Sequence, residues 1–524
     1  MKTNHGLFLV GCSALALAGC GPTDIASPGT GGNVTINNTT NNPPAPAPTP
    51  TPTSTLVTPA SECPSIADPQ GLTNAGVITG PEGTWRVCRL PARFNVSSTL
   101  VKTPGVLYEI NGRVDVGTDG GFTASAADTN VTLTFEPGVV TYASSSTAWI
   151  AVNRGNRINA SGTATQPIIF TSLQNVRGQN DETAQQQWGG LVLLGRAPIT
   201  DCGTGTVASG GTASTCQRQT EGAASPALYG GTNAADNSGT VRYVQIRYSG
   251  AVLSQNSELQ SLTTGGTGSG TQFDYIQSFN SSDDAMELFG GVVNMKHLVL
   301  VGADDDMVDV DTGSQANLQF VLMIQRSGQG DGLMEIDSNN NETDTPRTRL
   351  RLANFTAVQT AVSSNNEANA QASLFMRGNS DVELYNGVVV SPNNECIRMN
   401  RSGGANATTL LARSVVMQCN ATKYIGSPVS GGYTAAEVAT FFGSGSNGNN
   451  DAFTPTLTGG FINGANETAV SAFNVTTLSS YFSSVAYIGA VRDASDTWYA
   501  GWTCNSAAAN FGTTSRSCFA IPTT

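Results

Sequence analysis

Short apolar runs follow one another through the middle of the chain, and no amphipathic helix separates them. Leu133-Thr134-Phe135-Glu136-Pro137-Gly138 is echoed seventeen positions later by Ile150-Ala151-Val152-Asn153-Arg154-Gly155. Ile168-Ile169-Phe170 and Leu191-Val192-Leu193 follow at intervals of 18 and 23. Residues 241–246, 273–276, 297–301, 318–324, 350–355, 382–390 and 410–417 continue the series, with Gly, Asn, Asp and Ser turns between them. Apolar alternation in short strands at a spacing of roughly 17–26 residues predicts a β-solenoid, in which each coil buries one face and hydrogen-bonds to the coils above and below. A β-sandwich is the competing architecture, but it prefers hairpins and alternating polar outer faces. Near-direct repetition at coil length favours parallel stacking.

Composition agrees. Only 12% of the 524 residues are charged and 59 are Gly, against roughly 25% charged in ordinary soluble domains. That excludes a helical bundle or coiled coil. The formal net charge of −13 argues against sequence-independent binding to nucleic acid or an anionic bilayer. Cations, cationic groups and neutral polymers are the better partners.

At the N-terminus Lys2 precedes an apolar run over 7–17 that ends in Leu17-Ala18-Gly19-Cys20. The run is too short to span a bilayer and suits a signal-peptide core. The small residues before Cys20 look like a bacterial lipobox, so 1–19 is expected to leave and the Cys20 thiol to carry a lipid. Gly21 after the Cys resembles outer-membrane rather than inner-membrane lipoproteins. Residues 20–61, rich in Pro, Thr and Asn, cannot bury a core and are expected to form an extended tether.

Eight further cysteines fall into four sequence-local pairs, Cys63 and Cys88, Cys202 and Cys216, Cys396 and Cys419, Cys504 and Cys518. Eight cysteines allow 105 connectivities; nearest-neighbour pairing is the simplest, with Cys396 and Cys419 one coil apart. Zinc is disfavoured, because His297 is the one histidine beyond the signal and no ligand knuckle is present. Segment 62–104 is expected to cap the first end of a helix spanning 105–430, and 431–524 the second, with a helix over 434–442.

The strings Trp188-Gly189-Gly190-Leu191-Val192-Leu193-Leu194-Gly195, Asp236-Asn237-Ser238-Gly239-Thr240-Val241-Arg242-Tyr243 and Phe289-Gly290-Gly291-Val292-Val293-Asn294-Met295-Lys296-His297-Leu298 resemble a family of Gram-negative surface lipoproteins. Tyr487-Ile488-Gly489-Ala490-Val491 and Gly501-Trp502-Thr503 share the likeness, which covers residue 62 to the end. The resemblance implies an all-β, right-handed parallel β-helix on the cell surface. It transfers no catalytic residue, since the family's biochemistry is largely unassigned.

One stretch carries chemistry. Asp283-Asp284-Ala285-Met286-Glu287, Asp305-Asp306-Met307-Val308-Asp309 and Asp331-Gly332-Leu333-Met334-Glu335 superpose at offsets of 22 and 26. As successive coils they stack Asp283, Asp305 and Asp331 in one column, about 4.8 Å between rungs, and Glu287, Asp309 and Glu335 in a second. Asp304, Asp311 and Asp337 lie close by. Carboxylates so near each other take up protons, hold a cation or are screened by water. Calcium, with its six to eight oxygen ligands, suits Asp283, Asp305, Asp309, Asp331 and Glu335. The plain alternative is a solvated turn ladder. Catalysis has a concrete form: parallel β-helices include pectate lyases and polygalacturonases, and Asp283, Asp305, Asp306 and Asp331 are the candidate acids, with Arg326 as candidate lyase base. The glycosidase Gly-His-Gly and Arg-Ile-Lys motifs are absent from the sequence.

Other enzyme classes lack their residues: there is no Gly-x-Ser-x-Gly and no phosphate-cradling Gly-x-x-x-x-Gly-Lys. His297 in a strand is expected to be a packed ladder residue. Trp188, Tyr243, Tyr248 and Trp498 are expected to be buried rather than sugar-stacking. The expectation is therefore a lipid-anchored outer-membrane protein acting as a binding or structural module for glycan, an envelope partner or calcium, with no nucleic-acid partner. A polysaccharide-cleaving enzyme and an accessory of outer-membrane nutrient uptake, partnered with a membrane protein, are its rivals.

Overall fold

The computed structural model describes residues 56–209, 214–254, 257–338, 343–363, 372–400, 407–427 and 431–523. The expected signal peptide, Cys20 and nearly all of the expected tether lie outside them. Among the described residues no helix is long and apolar enough to cross a membrane.

The chain is an all-β parallel β-helix. Among the described residues eleven short strands, from Arg93–Phe94 to Tyr424–Ile425, stack into one sheet, and the longer strands from Gly83–Arg89 to Thr409–Cys419 stack into another. Each strand pairs in parallel with the next coil, as Phe273 does with Met295 and Met295 with Leu318. Inward side chains such as Met286, Leu288, Val308, Val310, Met334 and Ile336 are fully buried. They belong to one apolar column that runs from Cys88 to Phe442.

The coil period meets the expected spacing in some coils, as between Phe273, Met295 and Leu318, and departs from it in others. Leu133 and Ile150 lie in different sheets and are two faces of one coil; Leu133 pairs instead with Ile158, 25 residues on. Later coils are longer, as in the pairing of Leu318 with Leu352, because their turns carry insertions. Loop length costs stability only logarithmically, so coils of unequal length stack equally well.

The long strands bend at one residue. Gly239–Arg247 pairs with both Arg157–Ser161 and Ile168–Ser172, which are separate strands in the preceding coil. The bend is made by Tyr243 in the left-handed region, at φ 50°, and the position recurs at Tyr275, His297, Phe320, Asn354, Asn386 and Ser414 with φ between 51° and 60°. Left-handed backbone costs a non-glycine residue roughly 1–2 kcal/mol. Here the aromatic members stack: Tyr243 on Tyr275 at 4.3 Å, Tyr275 on His297 at 4.2 Å and His297 on Phe320 at 5.0 Å between ring centres. His297 is thus a packed ladder residue, its Nδ1 2.7 Å from Asp274.

All four cysteine pairs are joined as expected, Cys63–Cys88, Cys202–Cys216, Cys396–Cys419 and Cys504–Cys518. At the first end Thr73–Gly80 folds antiparallel onto Gly83–Arg89, which already belongs to the parallel stack. At the second, the helix Ala435–Phe442 starts in a capping box between Thr434 and Glu437 and inserts Val438 and Phe442 under the last coil.

Beyond that helix the chain does not cap an end. Residues 450–523 run back along the long sheet toward the first coils. Asn386 exchanges two hydrogen bonds with the Phe473 backbone, Gln319 with Ser483 and Gln277 with Cys504. Arg247 then donates to the Cys518 and Ala520 carbonyls at 2.8 and 2.9 Å. Trp498 and Trp502 of this strap pack edge-on or tilted against the aromatic ladder. Trp188 and Tyr248 are fully buried.

Candidate functional site

The acidic segments fall on the short sheet. Met286–Phe289, Val308–Asp311 and Met334–Ile336 are consecutive rungs, and Glu287 pairs with Asp309 and Asp309 with Glu335. Alternation turns the flanking Met, Leu, Val and Ile inward and leaves these three carboxylates on the outer face. The turns before the strands stack as well: Ala285 N–H donates to the Asp306 carbonyl and Asp331 N–H to the Asp304 carbonyl. The two columns expected from the sequence therefore stand side by side.

Together they line a cleft of about 300 Å³. Asp283, Asp284, Glu287, Asp305, Asp306, Asp309, Asp331 and Glu335 form its floor, and Glu221 and Glu258 add two more carboxylates. Two triads, Asp283 with Asp284 and Glu287, and Asp284 with Asp305 and Asp306, each bring three carboxylate oxygens within 4.8 Å of one another. Asp284 and Asp306 are only 5% and 7% exposed. The Asp284 carboxylate accepts the Asp306 N–H at 2.9 Å, Gln260 Nε2 donates to Asp283 at 2.9 Å, and Ser363 Oγ donates to Asp331 at 3.1 Å. Among the described residues Asp309 Oδ1 is buried and has no hydrogen-bond partner.

Such crowding shifts the acids. Burial, then the charge of Asp305, pushes Asp283 up to about 7. Burial and the neighbouring carboxylates hold Asp284, Glu287, Asp306 and Asp309 well above the usual carboxylate range. Asp311, one outward position further along its strand, is raised to about 7 by burial and Asp337. Glu335 is raised to about 8 by burial, against the opposing pull of Arg377.

Arg326 does not belong to this constellation. Its guanidinium is buried on another side of the coil, where it donates to the Glu182 carbonyl at 3.2 Å and to Gln185, with Asp304 at 3.9 Å. The turn that carries it leaves the long sheet, whereas the cleft lies on the short one. The basic side chain that the fold brings to the cleft is Arg377, paired with Glu335 and, at 2.6 Å, with Asp337. Phe375, next to Glu335 in register, and Asn400 complete the far wall. Sequence reasoning missed Glu221, Glu258, Gln260, Phe375, Arg377 and Asn400. Forty residues separate Glu335 from its partner Phe375, so no coil-length offset leads to them.

Residues 119–503 match the family described as pectate-lyase-like β-helix domain. No curated protein and no solved structure matches the chain.

Proposed function

The chain belongs to the pectate-lyase-like β-helix family, and on that premise we propose that its acidic cleft holds a divalent cation, calcium by the chemistry of its donors, and through it binds a carboxylate-bearing polysaccharide. The observation that carries this reading is the pair of carboxylate triads sharing Asp284. The donors are all oxygen, the preference of calcium, and the buried, unpartnered Asp309 Oδ1 is an acceptor waiting for a positive charge. Asp283, Asp284, Glu287, Asp305 and Asp306 would hold the ion, which would supply the positive charge that offsets the cluster and attracts a uronate carboxylate.

The remaining residues have parts that follow from their contacts. Gln260 orients Asp283, and the Asp306 N–H orients Asp284. Arg377 pairs with Glu335 and Asp337, opposing the rise that burial imposes on both carboxyls, and closes one end. Phe375, buried beneath the Arg377 and Arg398 guanidinium groups, backs that end of the cleft. Elimination would need a neutral base, and although burial acts to lower Arg377, its neighbours Glu335 and Asp337 hold it protonated; binding is therefore favoured over lyase chemistry. A hydrolytic second reading has its own observation: Asp283, raised to about 7, can keep a proton beside the carboxylate of Asp305. One rung, about 4.8 Å, is close to the ~5–5.5 Å between the two carboxyl groups of retaining glycosidases. In this picture the lipid on Cys20 anchors the chain to the outer membrane and segment 20–61 holds the helix out to meet extracellular polymer.

The test is to titrate the full chain with calcium, with polygalacturonate, and with both, in the presence and absence of chelator. Calcium should bind the native chain and not Asp305→Asn, and it should raise polymer affinity above the level seen in chelator only where Asp305 is intact. Polymer binding indifferent to both calcium and Asp305→Asn would overturn the reading. New reducing ends that disappear in Asp283→Asn would replace it with hydrolysis.

A further inference from the structure

A second groove, of about 430 Å³, opens on the long sheet, away from the acidic cleft. Its floor is a column of outward side chains on three successive rungs: Arg242 pairs in register with Asp274, and Asp274 with Lys296. Thr240, Gln272 and Asn294 run parallel to that column, and Tyr481 of the C-terminal strap forms one wall.

The two cations share one carboxylate, Asp274. The Arg242 guanidinium lies over the rings of Tyr243 and Tyr275, 5.1 and 5.6 Å from their centres, so the aromatic ladder fixes its plane. Its ion-pair partner Asp274 is 3.6 Å away and turns its other oxygen to His297 at 2.7 Å. Lys296 Nζ sits 4.6 Å from the Tyr481 ring centre and donates to Ser483 Oγ at 2.9 Å, a neutral partner. Burial depresses the Lys296 ammonium despite the opposing charge of Asp274. Nearby negative charge would restore it.

We propose that this groove binds an oligosaccharide bearing more than one carboxylate, directly and without a metal ion, with Arg242 and Lys296 each taking one carboxylate. The two cations stand two rungs apart, roughly 9–10 Å along the helix axis. A single carboxylate does not bridge that span; carboxylates on separate sugars do. The amide and hydroxyl groups of Gln272, Asn294 and Thr240 match a ligand dense in hydroxyls, and Tyr481 gives a ring face. In a chain of net charge −13, a groove with two cations and one carboxylate is a local reversal of sign that selects anions. The proposal is independent of the cation reading of the cleft.

The test uses the full chain with its disulfides intact, in chelator, titrated calorimetrically with trigalacturonate and with its fully methyl-esterified, neutral form. The acid should bind and the ester should bind at least tenfold more weakly. Arg242→Gln combined with Lys296→Gln should lower affinity for the acid at least tenfold. Asn294→Trp, which fills the groove and leaves both charges, should do the same, and it decides the matter if the double variant melts early. Asp305→Asn in the cleft should change nothing in chelator, so failure of the two sites is separable. Absence of binding in chelator, equal binding of the ester, or binding unaffected by Asn294→Trp would overturn the proposal.

Discussion

The backbone N–H of Asp306 donates to the carboxylate of Asp284 at 2.9 Å, across one coil of the helix. The bond ties the turn of one rung to the side chain of the rung beneath it. Asp284 is also the carboxylate shared by both triads, so one buried residue links two carboxylate clusters and two coils.

Asp284→Asn should therefore separate stability from binding. The amide keeps an oxygen for the Asp306 N–H and cannot ionise among the neighbouring carboxylates, an ionisation that burial and those neighbours already oppose. The calcium-free protein should melt at a higher temperature than the native chain, while calcium affinity falls at least tenfold. Thermal melting with and without chelator, beside a calcium titration, checks both. A variant that melts lower and still binds calcium normally would refute the assignment.

The cleft should also set the pH dependence of stability. Asp283 and Asp311 are raised to about 7 and Glu335 to about 8 in the folded chain, above the ~4 of an unfolded carboxylate. The folded state thus binds more protons than the unfolded one across this window, and stability falls as pH rises through it. In chelator, the melting temperature should drop steadily from about pH 4 to pH 8. Calcium should restore it, most strongly at the high end, with proton release on binding. A flat profile in chelator would mean that the carboxylates are solvated and uncoupled.

Arg377 opposes the cation. Its removal in Arg377→Gln leaves Glu335 and Asp337 without their partner and adds net negative charge to the cleft. Calcium affinity should rise several-fold while the calcium-free protein loses stability. A drop in both would show that Arg377 orders the cleft rather than competing for it.

The C-terminal strap is bound by amide side chains. Gln277 accepts the Cys504 N–H at 2.7 Å and donates to the Cys504 carbonyl at 3.1 Å, all of it buried. Gln277→Ala strands both backbone groups, which costs about 1–3 kcal/mol per buried group left unsatisfied. Urea unfolding should show a loss of about 2–6 kcal/mol for the two groups together, and limited proteolysis should cut first within residues 471–503. Unchanged stability would mean that water replaces the amide.

The bend column gives a comparison of two opposing effects. His297→Asn relieves left-handed strain, since Asn tolerates that region, but it removes the stacks on Tyr275 and Phe320. Aromatic pairs contribute about 0.5–1.5 kcal/mol each beyond area burial, so a net loss of about 1–2 kcal/mol is expected. A stabilised variant would show that strain outweighs stacking at this rung.

Much of the fold is legible in the sequence alone. The alternation in Met286-Glu287-Leu288 or Val308-Asp309-Val310 says which side chains face the core, because a strand turns successive residues to opposite faces. The repeated acidic segments announced two columns, and the local Cys pairs their own partners. What stacks on what was a different matter. Ile158 finds Gly239 across 81 residues and Glu335 finds Phe375 across 40. Closing a longer loop adds little free-energy cost, so no periodicity marks the partner. Arg377, Glu221 and Glu258 reach the cleft only through such non-local stacking, and Arg326, close to it in sequence, is carried to another side. The same holds for the strap: nothing local in residues 450–523 says that they lie along the sheet rather than over its end. Local pattern decides the face of each residue; pairing between distant coils decides its neighbours, and the cleft is made of neighbours.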